Sequence, residues 1–298
     1  MKHLVGFGIL IKVTLGLVVK NAEKTLQETI GSVLIQDFPH EFLEVVIVDG
    51  MSQDKTMSIA MRGLRKSDIA FSTFATKKGL GFSRQIVVDN AVGKYIIMVD
   101  GDVVLPKNFV RKQVIFMEKN PKAGIGTCYY AYRDGPSWIA NVENMLQVTG
   151  QARAIAIYRK DALKNVGGFD PEIKGACEDV DVGTRMLAAG WPLVDNHDVR
   201  IWHNFKDNTR DFLRRAEWYG FGVHFTYHKN KNLGTGTPLW AATPIVGLAY
   251  GLKKTMQAWK LERKKEAFLI PALVFVERIA WWFGFLKSHM LGYGHNQA

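Results

Sequence analysis

From Val13 to about Tyr130, short β-rich apolar runs alternate with segments of helical period, and this alternation restricts the chain to a doubly wound α/β sheet. The runs are Val13 to Val19, Leu43 to Val48, Ile69 to Ala75 and Tyr95 to Val99, followed after Pro106 by a helix and a strand from Ala123 to Tyr130. Between the first two, Leu26, Ile30, Val33 and Leu34 fall at i, i+4, i+7 and i+8. That stripe predicts a helix packed on the sheet, with Asn21 as its N-cap. Two strands end in acidic turns, Asp49-Gly50 and Asp100-Gly101-Asp102. Ligands of open α/β sheets sit beyond the carboxyl ends of the strands, so both turns are expected to face one crevice.

Asp100-Gly101-Asp102 follows the buried-strand run Tyr95 to Val99, and Gly101 allows a sharp turn that projects two carboxylates. Hard oxygen ligands of this kind suit Mg²⁺ or Mn²⁺, which would bridge a nucleotide diphosphate. A second such triplet, Asp179-Val180-Asp181, demonstrates how easily the pattern arises. The strand in front distinguishes the first from an ordinary turn with solvated acids. Glu178-Asp179 opens a helix that stops at Gly190, where acids also suit the positive end of the helix dipole. Asp181 is expected to be structural.

Taken in order, Val18-Val19-Lys20-Asn21-Ala22-Glu23, Val48 to Thr56, Ser83-Arg84-Gln85, Val99 to Asp102, Gly167-Gly168-Phe169-Asp170 and Glu178-Asp179 resemble the family 2 glycosyltransferases of the GT-A fold. The resemblance covers roughly residues 13 to 225. It implies a Rossmann-like, mostly parallel sheet with helices on both faces, and inverting transfer of a sugar from a nucleotide-diphosphate donor. By the same resemblance Asp49 contacts the base, Arg84 helps hold the nucleotide, Asp100 faces the ribose and Asp102 ligates the metal. Asp179 is then the general base toward the acceptor, and Glu178 orients that acceptor. His203 stands where some members place a third metal ligand. The first-strand motif departs from the usual Pro-Thr-Tyr-Asn-Glu, which leaves the base open and makes Glu23 a candidate donor contact. Downstream, Arg214 and Arg215 are candidate phosphate clamps and Trp218 a candidate acceptor contact. Processive members carry Gln-x-x-Arg-Trp, whereas the frame here reads Arg214-Arg215-Ala216-Glu217-Trp218, which argues against a polymer-extruding synthase.

Lys and Arg outnumber Asp and Glu by 39 to 28, so a polyanionic partner is expected: a diphosphate substrate, an anionic lipid surface or nucleic acid. Nucleic acid fits least, because the basic residues are scattered and not interleaved with aromatics on one strand. Cys128 and Cys177 form no CxxC pair, so neither a disulfide framework nor a structural zinc ribbon is expected. The apolar run Leu4 to Ile11 lacks a cleavage site and is read as folded protein.

The chain is expected to divide into a GT-A domain, 1–230, and a C-terminal helical apolar appendage, 231–298. Apolar segments Leu239 to Leu252 and Ala267 to Leu286 flank the charged stretch Lys253 to Glu266, and Glu277 and Arg278 interrupt the second. Monotopic or peripheral attachment to the cytoplasmic face of a membrane is therefore expected, with a lipid-linked acceptor. The competing reading packs both helices on the core. Other functions considered are a retaining GT-A enzyme, a sugar nucleotidyltransferase, and a basic membrane- or nucleic-acid-binding module. The last leaves the ordered acids unexplained.

Overall fold

The computed structural model describes residues 12–205, 207–230, 233 and 239–293. The run Leu4 to Ile11 and the Gly-rich stretch Gly234 to Pro238 lie outside the described residues. In chain order, β1 (Val13–Val19), α1 (Leu26–Leu34), β2 (Leu43–Asp49), α2 (Thr56–Leu64), β3 (Ala70–Ala75), α3 (Leu80–Asn90) and β4 (Tyr95–Asp100) build the doubly wound half. Then come β5 (Val103–Val104), α4 (Phe109–Lys119), β6 (Ile125–Tyr130), α5 (Trp138–Gly150), β7 (Arg153–Arg159), α6 (Lys160–Asn165), α7 (Glu178–Ala188) and β8 (Leu193–His203). Three longer helices follow, α8 (Thr209–Lys229), α9 (Pro244–Glu262) and α10 (Ile270–Met290).

The strands form one sheet in the order β3-β2-β1-β4-β7-β6-β8-β5. β3, β2, β1 and β4 are parallel, β7 runs antiparallel to β4 and β6, and β8 is parallel to β6. Side chains alternate between faces, and both faces are covered. Val13, Leu15, Leu17 and Val19 of β1 pack with Leu26, Ile30 and Val33 of α1 and with Phe109, Val114 and Met117 of α4. Val46, Val48, Ile96 and Met98 point the other way, onto Val87 and Val88 of α3 and Val182 and Met186 of α7. This double coverage is why the strands read as unbroken apolar runs.

The expected N-cap is corrected by the structure. Helix α1 begins at Leu26, and Asn21 sits in the left-handed region at φ 48°. Its Oδ1 accepts the Gln53 backbone N–H at 2.9 Å, which ties the loop after β1 to the loop after β2. An asparagine side chain has one such carbonyl, and here the neighbouring loop takes it. The residue before the helix, Thr25, donates its hydroxyl to the Gly101 carbonyl at 2.7 Å and so pins the acidic turn.

The last three helices are docked on the body. Ile139, Val142 and Met145 of α5 share a cluster with Phe212 of α8, Ala258 of α9 and Ile270, Leu273 and Val274 of α10. Lys265–Met290 is long and apolar enough, by length and composition, to cross a membrane. One side of α10 nevertheless packs along α8 and α9, while Phe283, Leu286 and Met290 are exposed.

Candidate active site

The sheet order reverses where β1 meets β4, with Val18 paired to Asp100, and a cleft of about 1230 Å³ opens beyond the carboxyl ends of these strands. The short strand β5 then fixes the acidic turn from the other side. It pairs antiparallel with the end of β8, Val103 opposite His203, and the Asn204 N–H donates to the Asp102 carbonyl at 2.8 Å. This pairing brings His203 Nε2 to 3.3 Å from Asp102 Oδ1 although a hundred residues separate them. Both side chains are mostly enclosed, 22% and 13% exposed for Asp102 and His203. The imidazole is held between Phe205, ring centroids 4.2 Å apart, and the edge of Tyr130. One carboxylate oxygen and one imidazole nitrogen converging on the cleft are a donor pair that Mn²⁺ or Mg²⁺ accepts, so the residues present fit a divalent ion.

Arg84, on α3, lies under the floor. Its Nη2 is 3.2 Å from Asp100 Oδ1 and its Nε 3.0 Å from Glu178 Oε1, which links the end of β4 to the start of α7. Burial opposes the guanidinium charge, and Glu178, Asp100 and Asp179 more than restore it. Asp100, 52% exposed, lines the cleft. Enclosure by the cleft walls pushes its carboxyl above the ordinary range, Arg84 pulls it back, and Asp102 adds to the rise.

Cys177, in the left-handed region at φ 74°, aims the start of α7 at the same cleft. Asp179 is exposed there, and its Oδ1 accepts the Val180 N–H at 2.8 Å. Asp181 is fully buried and is spent on Arg185, Lys229 and Asn230, a structural role as expected from its place on the helix. Upstream, Gly168 stands at φ 73°, and a Cβ there would lie 2.2 Å from the Gln85 side-chain oxygen. That oxygen accepts the Phe169 N–H at 2.8 Å, so this glycine fastens the chain leading to α7 against α3.

Glu178 is 3% exposed, and burial pushes its carboxyl up to about 8, with Arg84 opposing the rise and Asp179 reinforcing it. The folded protein therefore binds more protons than the unfolded chain between about pH 4.5 and about pH 8. The corresponding stability is full below that window and lost as pH rises through it. Glu178→Gln mimics the protonated form and keeps an acceptor for Arg84. Thermal midpoints of the two proteins are expected to diverge from pH 5 to pH 8, the native chain losing ground with rising pH. A constant difference across that range would contradict the assignment.

The remaining expected residues distribute unevenly. Glu23 lines the cleft mouth, where its carboxylate accepts the Lys55 N–H at 3.1 Å. Asp49 is buried, and its carboxylate accepts the Ser52 hydroxyl at 2.6 Å and the Ser52 N–H, closing its own turn. Asp54, two residues beyond Ser52, stands in the cleft wall. Trp218 and Arg214 face the cleft from α8, Arg214 well exposed and 3.7 Å from Asp211. Arg215 is engaged in an ion pair with the buried Glu143 of α5 and lies over the ring of Phe205. The sequence reading missed Glu143, Glu277 and Arg278, all of which line the cleft. For the last two the signal was present: charges inside an apolar helix usually face a cavity or a partner.

Residues 14–172 match the profile of Glycosyl transferase family 2, and residues 95–291 that of Glycosyl transferase family group 2. A 101-residue stretch is 31% identical to the poly(ribitol-phosphate) beta-N-acetylglucosaminyltransferase TarS of Staphylococcus aureus, covering 34% of this chain and 18% of TarS. A 189-residue stretch is 23% identical to the poly-beta-1,6-N-acetyl-D-glucosamine synthase of Staphylococcus epidermidis, covering 58% of this chain and 43% of the synthase. The chain thus spans less than half the length of these relatives. In three dimensions it resembles the mannosyltransferase PcManGT from Pyrobaculum calidifontis, solved with GDP-Man and Mn²⁺, at a TM-score of 0.65 and 17% identity over 93% of this chain and 87% of that one. TarS 1-349 with UDP follows at 0.52 and 18%, over 95% and 92%. With the profile matches extending over more than half of its residues and the GT-A architecture recovered in the sheet, the chain belongs to glycosyl transferase family 2.

Proposed function

We propose that the protein transfers a sugar, with inversion, from a nucleotide-diphosphate donor to an acceptor hydroxyl or lipid phosphate. The observation that carries this reading is the convergence of Asp102, His203 and Asp179 on one cleft at the switch point of the sheet. The donor enters over the loop after β1, with Glu23 and Asp100 toward the nucleoside and Arg84 fixing the Asp100 carboxylate. Asp102 and His203 would hold a divalent ion, which when bound would supply Lewis-acid charge for the leaving diphosphate. Arg214 reaches the phosphates from the rim, and Glu277 and Arg278 close the far wall. Trp218 flanks the acceptor. Asp179 takes the acceptor proton while the acceptor oxygen bonds to the anomeric carbon. The bond from that carbon to the diphosphate breaks on the opposite side, and its electron pair leaves with the nucleotide. The GDP-Man and Mn²⁺ bound by PcManGT and the UDP bound by TarS support a nucleotide-sugar in this cleft.

A hydrolysis screen across UDP-, GDP- and dTDP-sugars with Mn²⁺ or Mg²⁺ tests the reading. One donor is expected to turn over with release of the nucleoside diphosphate. Release of pyrophosphate from a sugar phosphate and a nucleoside triphosphate would instead indicate a nucleotidyltransferase. Turnover of no donor with any metal, in the presence of lipid and polyol acceptors, would overturn it.

The same reading assigns residues 1–230 to the GT-A domain and 231–298 to an appendage that lends Glu277 and Arg278 to the cleft and turns its exposed side to a membrane. Trp240, Ile245, Leu252, Met256, Phe283 and Met290 are exposed on the last helices, beside the basic stretch Lys253 to Lys265. Apolar and aromatic side chains seat in the interface, and each Lys or Arg near an anionic leaflet adds about 1 kcal/mol. The chain is expected to co-sediment with anionic vesicles, less so with neutral ones or in high salt. Ile245→Asp combined with Met290→Asp should lower the bound fraction several-fold. Retention of the native chain in the supernatant under every condition would make the acceptor a soluble one.

A further inference from the structure

Where α8 crosses α10 the two backbones touch. A Cβ on Gly220 would lie 1.8 Å from the Trp281 carbonyl oxygen, and one on Gly284 would lie 1.8 Å from that of Glu217. Such a crossing fixes the spacing of side chains one turn further along. On α8 those side chains are His224 and His228, which continue the stripe begun by Gly220 at i+4 and i+8. On α10 they are Ser288 and His289.

The three imidazoles come together. One nitrogen from each of His224, His228 and His289 lies within 4.8 Å of the others. His224 Nε2 is 3.2 Å from His289 Nδ1. A tetrahedral ion with metal-nitrogen bonds of about 2.0–2.1 Å spaces its ligand nitrogens roughly 3.3–3.4 Å apart, so this pair already stands at a coordination edge. The other nitrogen of His224, Nδ1, lies 3.0 Å from the Tyr293 carbonyl oxygen, which can only accept, and 3.1 Å from the Ser288 hydroxyl, which can accept or donate. With Nδ1 donating to the carbonyl, the Nε2 lone pair points toward His289. A ring nitrogen that donates to a backbone carbonyl while its partner nitrogen faces the cluster is the usual support for a metal-bound histidine. His224 is fully buried, His228 half-buried and His289 exposed, so an ion can enter from the surface.

We propose that His224, His228 and His289 bind one transition-metal ion of the imidazole-preferring class, Zn²⁺ foremost, which clamps α8 to α10. None of the three lines the cleft, and an all-nitrogen set discriminates against Mg²⁺, so this site is separate from the Asp102 and His203 pair. Binding requires His289 to carry its hydrogen on Nε2, so that the Nδ1 facing His224 offers its lone pair to the ion.

The test uses the full chain carrying Asp102→Ala, stripped with chelator and titrated with Zn²⁺ against an indicator in excess Mg²⁺. One equivalent is expected to bind and to raise the thermal midpoint. His228→Gln and His289→Gln should each weaken binding by more than about 100-fold, since even supporting partners of a ligand account for 10–100-fold. These two positions are not fully buried, so their replacement leaves no sealed cavity, and the midpoint of the metal-free variants checks that they fold. Co²⁺ in place of Zn²⁺ should give the intense visible absorption of a tetrahedral centre, absent in both variants. Zinc uptake no greater than that of the doubly substituted chain would overturn the site and leave a cluster of hydrogen-bonded histidines.

Discussion

Asp102→Ala is expected to cut nucleotide-sugar turnover by at least about a thousandfold. The charge stabilisation offered to a leaving diphosphate by a bound divalent ion is several kcal/mol, and each 1.4 kcal/mol is a factor of ten. Asp102 places a carboxylate oxygen 3.3 Å from His203 Nε2. The link from this turn to β8 also runs through the Asp102 backbone carbonyl and the Val103 to His203 register, both kept in the variant. The thermal midpoint should therefore stay within a few degrees of the native chain while activity disappears. His203→Ala should lose less, and higher Mn²⁺ should recover part of it, because the carboxylate remains. Undiminished activity of Asp102→Ala in the presence of chelator would remove the metal from the mechanism.

The parts of this site that lay close together in sequence were legible there. Asp100-Gly101-Asp102 could be placed at a strand end because five buried residues precede it, and β4 runs from Tyr95 to Asp100 as that run predicts. The start of α7 at Glu178 and its end before Gly190, at φ 83°, follow from local chemistry as well. What the sequence concealed depends on pairings between distant segments. His203 was expected beside Asp102 from the resemblance alone, and the contact that brings them together, the β5 and β8 register, has no local sequence signal. Arg215 reads as a free cation until α5 brings Glu143 against it. Asn21 has the right chemistry for an N-cap, but a loop thirty residues away supplies a better donor. Glu277 and Arg278 read as interruptions of a membrane helix, and only the packing of α10 along α8 turns them toward the cleft.

Asp179→Asn separates the proposed base from the nucleotide site and, with it, the two acceptor chemistries. Asparagine is nearly isosteric and keeps an oxygen for the Val180 N–H that Asp179 Oδ1 now accepts, so the start of α7 should hold its geometry. It cannot take a proton. For a hydroxyl acceptor, kcat is expected to fall by roughly a hundredfold or more, the usual yield of a positioned general base, with the donor KM nearly unchanged. An acceptor that is already anionic needs no base. If the natural acceptor is a lipid phosphate, the same substitution should cost far less with that acceptor than with a test alcohol, and azide should restore turnover as glycosyl azide of inverted configuration. Parallel assays of Asp179→Asn with a polyol, a lipid phosphate and azide therefore read the role of the residue and the class of the acceptor together. Collapse of donor binding with turnover at saturation preserved would place Asp179 in the nucleotide site, and the proton would then have to go elsewhere.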